Sequence, residues 1–367
     1  KVYRVLRVAG AEWAGDNFPE NQDAFPWKFE GLIALYDPPK PNIQSVFNQF
    51  YEAGIRVKMI TGDYPQTALN IARQSGLQHN DTVLTGEQVM HMTEAELAES
   101  VKSTNVFARM FPDAKLRVVE ALKNNGEVVA MSGDGVNDGP ALKAAQIGVA
   151  TGKRGTEVAK GAASMVLLDD NLDRMVTAIE LGRKIYNNLR KAIRYVISIH
   201  VPIVLVVVLP LVFGWTYLHM LAPIHVIFME LIMDPTCAVA FENEPSEPDA
   251  LKKPPRVADA PLFSGPELSL SIVQGLVITA GIMGLYHYAV LQGASEEKTR
   301  AFVFATLMLS NIFLTLVNRS FEQTIAQTLF YANRAIPIIL SIALAILAAI
   351  LFIPWLNDLF KMEASTW

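Results

Sequence analysis

Five long apolar runs in the second half of the chain restrict its possible folds more than any other feature. They cover residues 196–213, 221–241, 268–291, 301–317 and 335–355. Crossing ~30 Å of hydrocarbon takes about 20 largely apolar residues in a helix. Buried helices of a large soluble core are the alternative, but such runs are normally shorter and keep a polar face. The runs therefore predict an α-helical transmembrane bundle. Charge supports the same division. Only 18% of residues are charged, against a usual ~25%, and about 46 of the 67 charged residues precede residue 195. A water-soluble half is followed by one suited to lipid.

Arg183, Lys184, Arg190, Lys191 and Arg194 stand just before the first run, and the positive-inside rule places such a cluster in the cytoplasm. Residues 215–220 carry no Lys or Arg and fit the far side, whereas Lys252, Lys253 and Arg256 return the 242–266 loop to the cytoplasm. Five crossings then leave the C-terminus outside. We expect a multi-pass protein of the plasma (inner) membrane with its soluble part cytoplasmic. The single cysteine, Cys237, excludes a disulfide framework and a multi-cysteine metal site. A net charge of -5 argues against a nucleic-acid partner. Residue 1 is Lys and no signal peptide precedes the soluble part, so the chain is expected to be a piece of something longer.

Between Gly31 and Asp169 short apolar runs alternate with helical patterns, which predicts a parallel sheet covered by helices. Expected strands are Gly31–Tyr36, ended by Asp37-Pro38-Pro39-Lys40-Pro41, then Ile55–Ile60, Val106–Ala108 and Val128–Met131. Expected helices cover about Ile43–Ala53, Pro65–Ser75 and Ala114–Asn124. Residues 1–28 read as irregular.

Ligands of open α/β sheets bind at the carboxyl ends of strands, and two of these ends carry suitable polar groups. Thr61 and Gly62 offer a hydroxyl and an unshielded backbone N–H to a phosphate oxygen. Asp134 and Asp138 frame a glycine-rich turn, and hard carboxylate oxygens there suit Mg²⁺ bridging to phosphate. Lys115, at the head of a helix, can neutralise the same oxygens as a point charge. A lone Thr-Gly-Asp is usually a turn and a lone Lys usually surface. Ser132–Asp138, with two carboxylates, an amide and two glycines at one strand end, is a poor choice for a mere turn.

At these residues the chain resembles the P-type cation-transporting ATPases of the haloacid dehalogenase superfamily, in a type II, calcium-pump-like form. The resemblance rests on Asp37-Pro-Pro-Lys40, Met59-Ile-Thr-Gly-Asp63 with Thr67-Ala68, Phe107-Ala-Arg109 with Lys115, Gly133–Leu142 and Ile147–Ala150. It continues through Ile193-Arg-Tyr195 and Met233-Asp234, which match the family's fifth and sixth membrane helices. It implies a Rossmannoid phosphorylation domain over residues 31–182, preceded by a remnant of a nucleotide-binding domain (1–30) and followed by membrane helices through the ninth (183–367). It also implies that Thr61, Gly62 and Lys115 hold phosphate, that Asp134 holds Mg²⁺, and that Asn137 and Asp138 hold that loop and the phosphate. Asp37, Asp63 and Arg109 would lie around the ATP. The implied reaction passes through an aspartyl phosphate. Yet no Asp-Lys-Thr-Gly-Thr nucleophile sequence occurs in the chain, and no actuator-domain Thr-Gly-Glu loop is expected. The chain alone is expected to be inactive, with the rest of the same protein as its partner. In the family's sheet the nucleophile strand separates the strand ending at Thr61 from the one ending at Met131, so these two should not pair.

A carboxylate at mid-membrane costs about 2.5 to 3.5 kcal/mol even on a lenient scale, so Glu230 and Asp234 within one run require a purpose. Four residues apart, they share a helix face. Pro235 after them and Pro202 in the preceding run can free backbone carbonyls as further oxygen ligands. Carboxylates plus carbonyls suit a divalent cation, Ca²⁺ first. Calcium pumps of the family usually place an Asn and a Glu where this chain has His200 and Ile203, and an Asn where it has Glu230, so the usual two-ion site is not expected unchanged. Two other functions fit parts of the sequence. A membrane-tethered phosphatase accounts for the phosphate residues but not for the intramembrane carboxylates. A non-catalytic membrane partner accounts for the missing nucleophile.

Overall fold

A computed structural model describes residues 4–14, 17–35, 38–79, 81–257 and 260–363. The chain divides into two compact units, one of residues 1–177 with 252–258 and one of 178–251 with 259–367. Asp37 lies outside the described residues.

The first unit opens with a hairpin. β1 (Arg4–Gly10) pairs antiparallel with β2 (Lys28–Leu35), with an irregularity between Val8 and Ala9. Two expectations change here. Residues 4–10 form a regular strand, because Val5, Leu6 and Val8 favour extended backbone. The strand expected from Gly31 joins this hairpin, not the parallel sheet, and is continuous across residue 30, the expected domain boundary.

α1 (Ile43–Glu52) buries Val46, Phe47 and Phe50 and leads to the two-residue strand β3 (Met59–Ile60). α2 (Pro65–Gln74) starts with proline at its first position, where a missing N–H costs nothing. β4 (Val83–Thr85), α3 (Gly86–His91), α4 (Glu94–Ser103) and β5 (Val106–Ala108) follow. β5 is the centre of a parallel sheet of order β3-β5-β4. α5 (Pro112–Asn124) then packs Ala114, Val118 and Leu122 against Phe107. A tripeptide Thr85-Gly86-Glu87 does occur and serves as a helix start: the Thr85 hydroxyl accepts from Gln88 N at 3.3 Å, and Gln88 Oε1 accepts from Thr85 N at 2.9 Å.

β6 (Ala130–Gly133), α6 (Gly139–Ala144), β7 (Ile147–Thr151), α7 (Glu157–Ala162) and β8 (Met165–Leu167) build a second parallel sheet of order β6-β7-β8. Among the described residues β3 pairs with β5 alone and β6 with β7 alone. The two strand ends that carry Thr61 and Asp134 thus lie on separate sheets with no ladder between them, as expected. Ile60 packs against the cores of both.

Among the described residues of the second half, five helices are long and apolar enough to cross a membrane. α8 (Asp173–Phe213) runs 41 residues and continues through Pro202 and Pro210. α9 (Pro223–Pro235) passes into a π-helical segment, Thr236–Phe241. α10 (Gly265–Leu291), α11 (Glu296–Val317), the short α12 (Ile325–Thr328), α13 (Ala335–Phe352) and α14 (Pro354–Leu359) complete it. Tyr195, Met229, Ile282, Phe304 and Leu307 are among the residues of one buried core. α10 approaches α8 so closely that a Cβ on Gly275 would lie 2.5 Å from Val201 Cβ and 2.7 Å from Ser198 O. Val212, Phe213, Ile227, Leu231 and Val277 are exposed, as side chains facing lipid or further helices would be.

Candidate phosphoryl-transfer and ion sites

In the first unit the backbone staples the end of β3 to the end of β5. Thr61 N donates to Phe107 O (2.9 Å), Met110 N to Thr61 O (3.0 Å) and Arg109 N to Asp63 O (2.9 Å). Holding that register puts Arg109 at φ +52°, a left-handed conformation uncommon for a side-chain-bearing residue. Its guanidinium sits 4.6 Å above the ring of Tyr64. The Thr61 hydroxyl lies 3.2 Å from Asp63 Oδ2 and accepts from Asp63 N, also at 3.2 Å. A Cβ on Gly62 would find its nearest neighbour, Met110 O, at 3.9 Å. Packing therefore does not demand glycine there, and its backbone N–H is left open to close approach.

Met110 and Phe111 lead directly into α5, which presents Lys115 in its first turn. Lys115 Nζ lies 2.6 Å from Asp138 Oδ1, with both side chains nearly buried. The other oxygen, Asp138 Oδ2, accepts from the backbone N–H groups of Asp134 (3.3 Å) and Gly135 (3.2 Å). The loop closes so tightly that a Cβ on Gly133 would fall 2.6 Å from Asp138 Cβ. Asp138 thus organises the loop and fixes the lysine, while Asp134 and Asn137 remain exposed at the strand end. Among the described residues no hydrogen bond or ion pair engages the Asp134 carboxylate, so its hard oxygens stay available to Mg²⁺. The structure brings Thr61, Gly62, Asp63 and Arg109 together at one strand end, and Lys115, Asp134 and Asp138 at another, with Met110–Lys115 as the link.

One support was not singled out from sequence. Thr156 N donates to Asp134 O at 2.9 Å, and a Cβ on Gly155 would lie 2.0 Å from Thr151 O. The glycines at 152 and 155 were the available signal for a tight loop.

In the second unit, α9 carries Glu230, partly exposed, and Asp234, exposed, one turn apart. His200 of α8 holds its Nδ1 2.8 Å from Val196 O, a helix-internal bond, and its Nε2 3.6 Å from Glu230 Oε1.

Comparison with known proteins gives the same two parts. Residues 3–146 match the family of haloacid dehalogenase-like hydrolases, and residues 218–367 match the family described as cation transporting ATPase, C-terminus. A hydrolase-type region is thus followed in one chain by the C-terminal region of cation transporting ATPases. Calcium-transporting ATPase 1 of Lactococcus lactis is 37% identical over 336 residues, 91% of this chain and 38% of that protein. Calcium-transporting ATPase 1 of Bacillus cereus is 34% identical over 100% of this chain and 43% of its own length. Probable cation-transporting ATPase F of Mycobacterium tuberculosis is 34% identical over 97% and 40%. The chain belongs to the P-type cation-transporting ATPases, a family that in general uses ATP and Mg²⁺. It spans about two fifths of the length of these relatives.

Proposed function

We propose that this chain supplies the phosphoryl-transfer loops and an ion pathway of an ATP-driven pump that moves a divalent cation, Ca²⁺ first, across a membrane. In this reading the nucleophilic aspartate comes from polypeptide outside these 367 residues and becomes phosphorylated between β3 and β6. The observation that carries it is the Lys115–Asp138–Asp134 arrangement. It fixes an ammonium on the carboxylate that also ties down the Asp134 loop at the end of a parallel strand, in a chain similar over 91% of its length to a calcium-transporting ATPase.

Each residue has a task. The Thr61 hydroxyl and Gly62 N–H orient phosphate oxygens, and Lys115 offsets their charge. Asp138, held by two backbone N–H groups, keeps Lys115 aimed, and Asn137, exposed on the same loop, hydrogen-bonds the phosphate. Asp134 would hold Mg²⁺, whose charge would offset the charge that spreads over the transferred group. Asp63 and Arg109 serve the nucleotide, a role the resemblance gives to Asp37 as well. Glu230 and Asp234 bind the transported cation, with the soluble unit in the cytoplasm and the membrane helices in the plasma membrane. Replacing Asp234 with Asn in the full-length protein should abolish cation-dependent phosphorylation by ATP while nucleotide still binds. Unchanged cation dependence at unchanged affinity would make Asp234 structural.

A further inference from the structure

The stretch just after Asp234 is anchored in a way that the transport reading leaves unused. Following the π-helical turn, Glu244 and Glu247 enter the interior of the second unit. Glu247 Oε1 lies 2.7 Å from Lys191 Nζ, with side chains 1% and 0% exposed, and Glu244 Oε1 lies 2.8 Å from Arg319 Nε, with side chains 0% and 4% exposed. Glu247 also accepts from Ser320 Oγ (2.7 Å) and Phe321 N (3.3 Å), and Glu244 from Asn333 Nδ2 (2.9 Å). The same Asn333 amide donates to Ala240 O inside the π segment at 2.7 Å. Asn188 Nδ2 donates to the carbonyls of Glu242 (3.2 Å) and Glu244 (2.8 Å). Residues 240–247 are therefore held at once from α8, from the link between α11 and α12, and from Asn333 ahead of α13.

Four buried charges are a costly way to gain stability, since well-packed apolar residues do as well or better. What charges and amides add is direction. Asp234 stands six residues before Ala240, about 9 Å along a helix, and a slip of one residue would turn it by about 100° and shift it by about 1.5 Å. Between them lies the π turn, an i→i+5 departure from the α-helical ladder of a kind found frequently at functional sites.

We propose that Glu244, Glu247, Arg319, Lys191 and Asn333 form a clamp of positioning residues that sets the depth and rotation of Glu230 and Asp234, and so the cation affinity of the site. The proposal rests on the transport reading above.

The test uses the full-length protein with Ca²⁺ as probe. Two readouts are taken: the Ca²⁺ concentration that half-activates phosphorylation by ATP, and phosphorylation from inorganic phosphate without Ca²⁺, which reports the phosphoryl site alone. For Glu244→Gln and Asn333→Leu the half-activating Ca²⁺ concentration should rise about 10- to 100-fold, the range lost when groups that orient metal ligands are removed. Phosphorylation from phosphate should stay within about twofold. Arg319→Lys keeps the charge but not the Nε bond, and Lys191→Met with Glu247→Met removes a charge pair without stranding either partner, so these decide the matter if the first variants fail to fold. Unchanged Ca²⁺ activation in the folded variants, or an equal fall in both readouts, overturns the clamp. Asp234→Asn in the same assay separates the two ideas: if it leaves Ca²⁺ dependence intact, the transport reading fails first.

Discussion

Gly133→Ala isolates geometry from charge in the phosphoryl site. The new methyl would sit 2.6 Å from Asp138 Cβ and 2.8 Å from its Cγ, whereas ordinary contact begins at 3.4 Å. Asp138 or the loop must therefore yield by about 0.8 Å. The Asp138–Lys115 contact, now 2.6 Å, would open to roughly 3.4 Å, beyond the ~3.2 Å limit of a good bond. The two loop N–H bonds to Asp138, already 3.2 and 3.3 Å, have no slack. Overpacking of this kind costs about 1–3 kcal/mol of stability. A misplacement near 1 Å in a phosphoryl-transfer site costs about 10²-fold in rate. The assay is acid-stable label from γ-labelled ATP in the full-length protein, alongside thermal unfolding and nucleotide binding to show that the variant is folded. Phosphorylation within about twofold of wild type would refute the idea that the close fit at residue 133 positions Asp138.

Three further outcomes follow from other parts of the molecule. The 367-residue chain by itself should acquire no acid-stable label from ATP, because it holds no Asp-Lys-Thr-Gly-Thr sequence; covalent label on any of its aspartates would contradict this. Lys58, whose ammonium donates to Val101 O, Thr104 O and Asn105 Oδ1, is lowered to about 8, first by burial and then by Arg56. The unfolded chain holds that proton up to about 10.4, so the cost of keeping Lys58 charged is fully present below pH 8 and fades above it. Relative to Lys58→Met, wild type should gain thermal stability between pH 8 and 10, and a pH-independent difference would be the contrary result. Gly275→Val should destabilise the membrane unit by at least the ~1–3 kcal/mol of overpacking, since even a Cβ meets Val201 Cβ at 2.5 Å. A melting temperature in detergent equal to wild type would show that α10 can move away from α8 without loss.

What could be read from the residues alone is what acts locally. Hydrocarbon thickness and the 3.6-residue repeat set the five apolar helices, whose described bounds fall within about five residues of those expected apart from the long N-terminal extension of α8. Pro65 marked the start of α2 and glycines at strand ends marked the loops at Thr61 and Asp134, because proline fixes its own φ and glycine frees it, whereas α5, expected from about Ala114, begins two residues earlier at Pro112. Long-range pairing was not legible. Nothing within residues 28–35 says whether that strand joins a parallel sheet or a hairpin; the choice was made by β1, some twenty residues away. The Lys115–Asp138 bond joins residues 23 apart, and the clamp joins Lys191 to Glu247 and Glu244 to Arg319 across 56 and 75 positions. A charged residue in sequence looks the same whether it faces water or a buried partner. Only the packing of distant elements withdraws water from these charges, and that turns ordinary glutamates, lysines and arginines into fixed points of the fold.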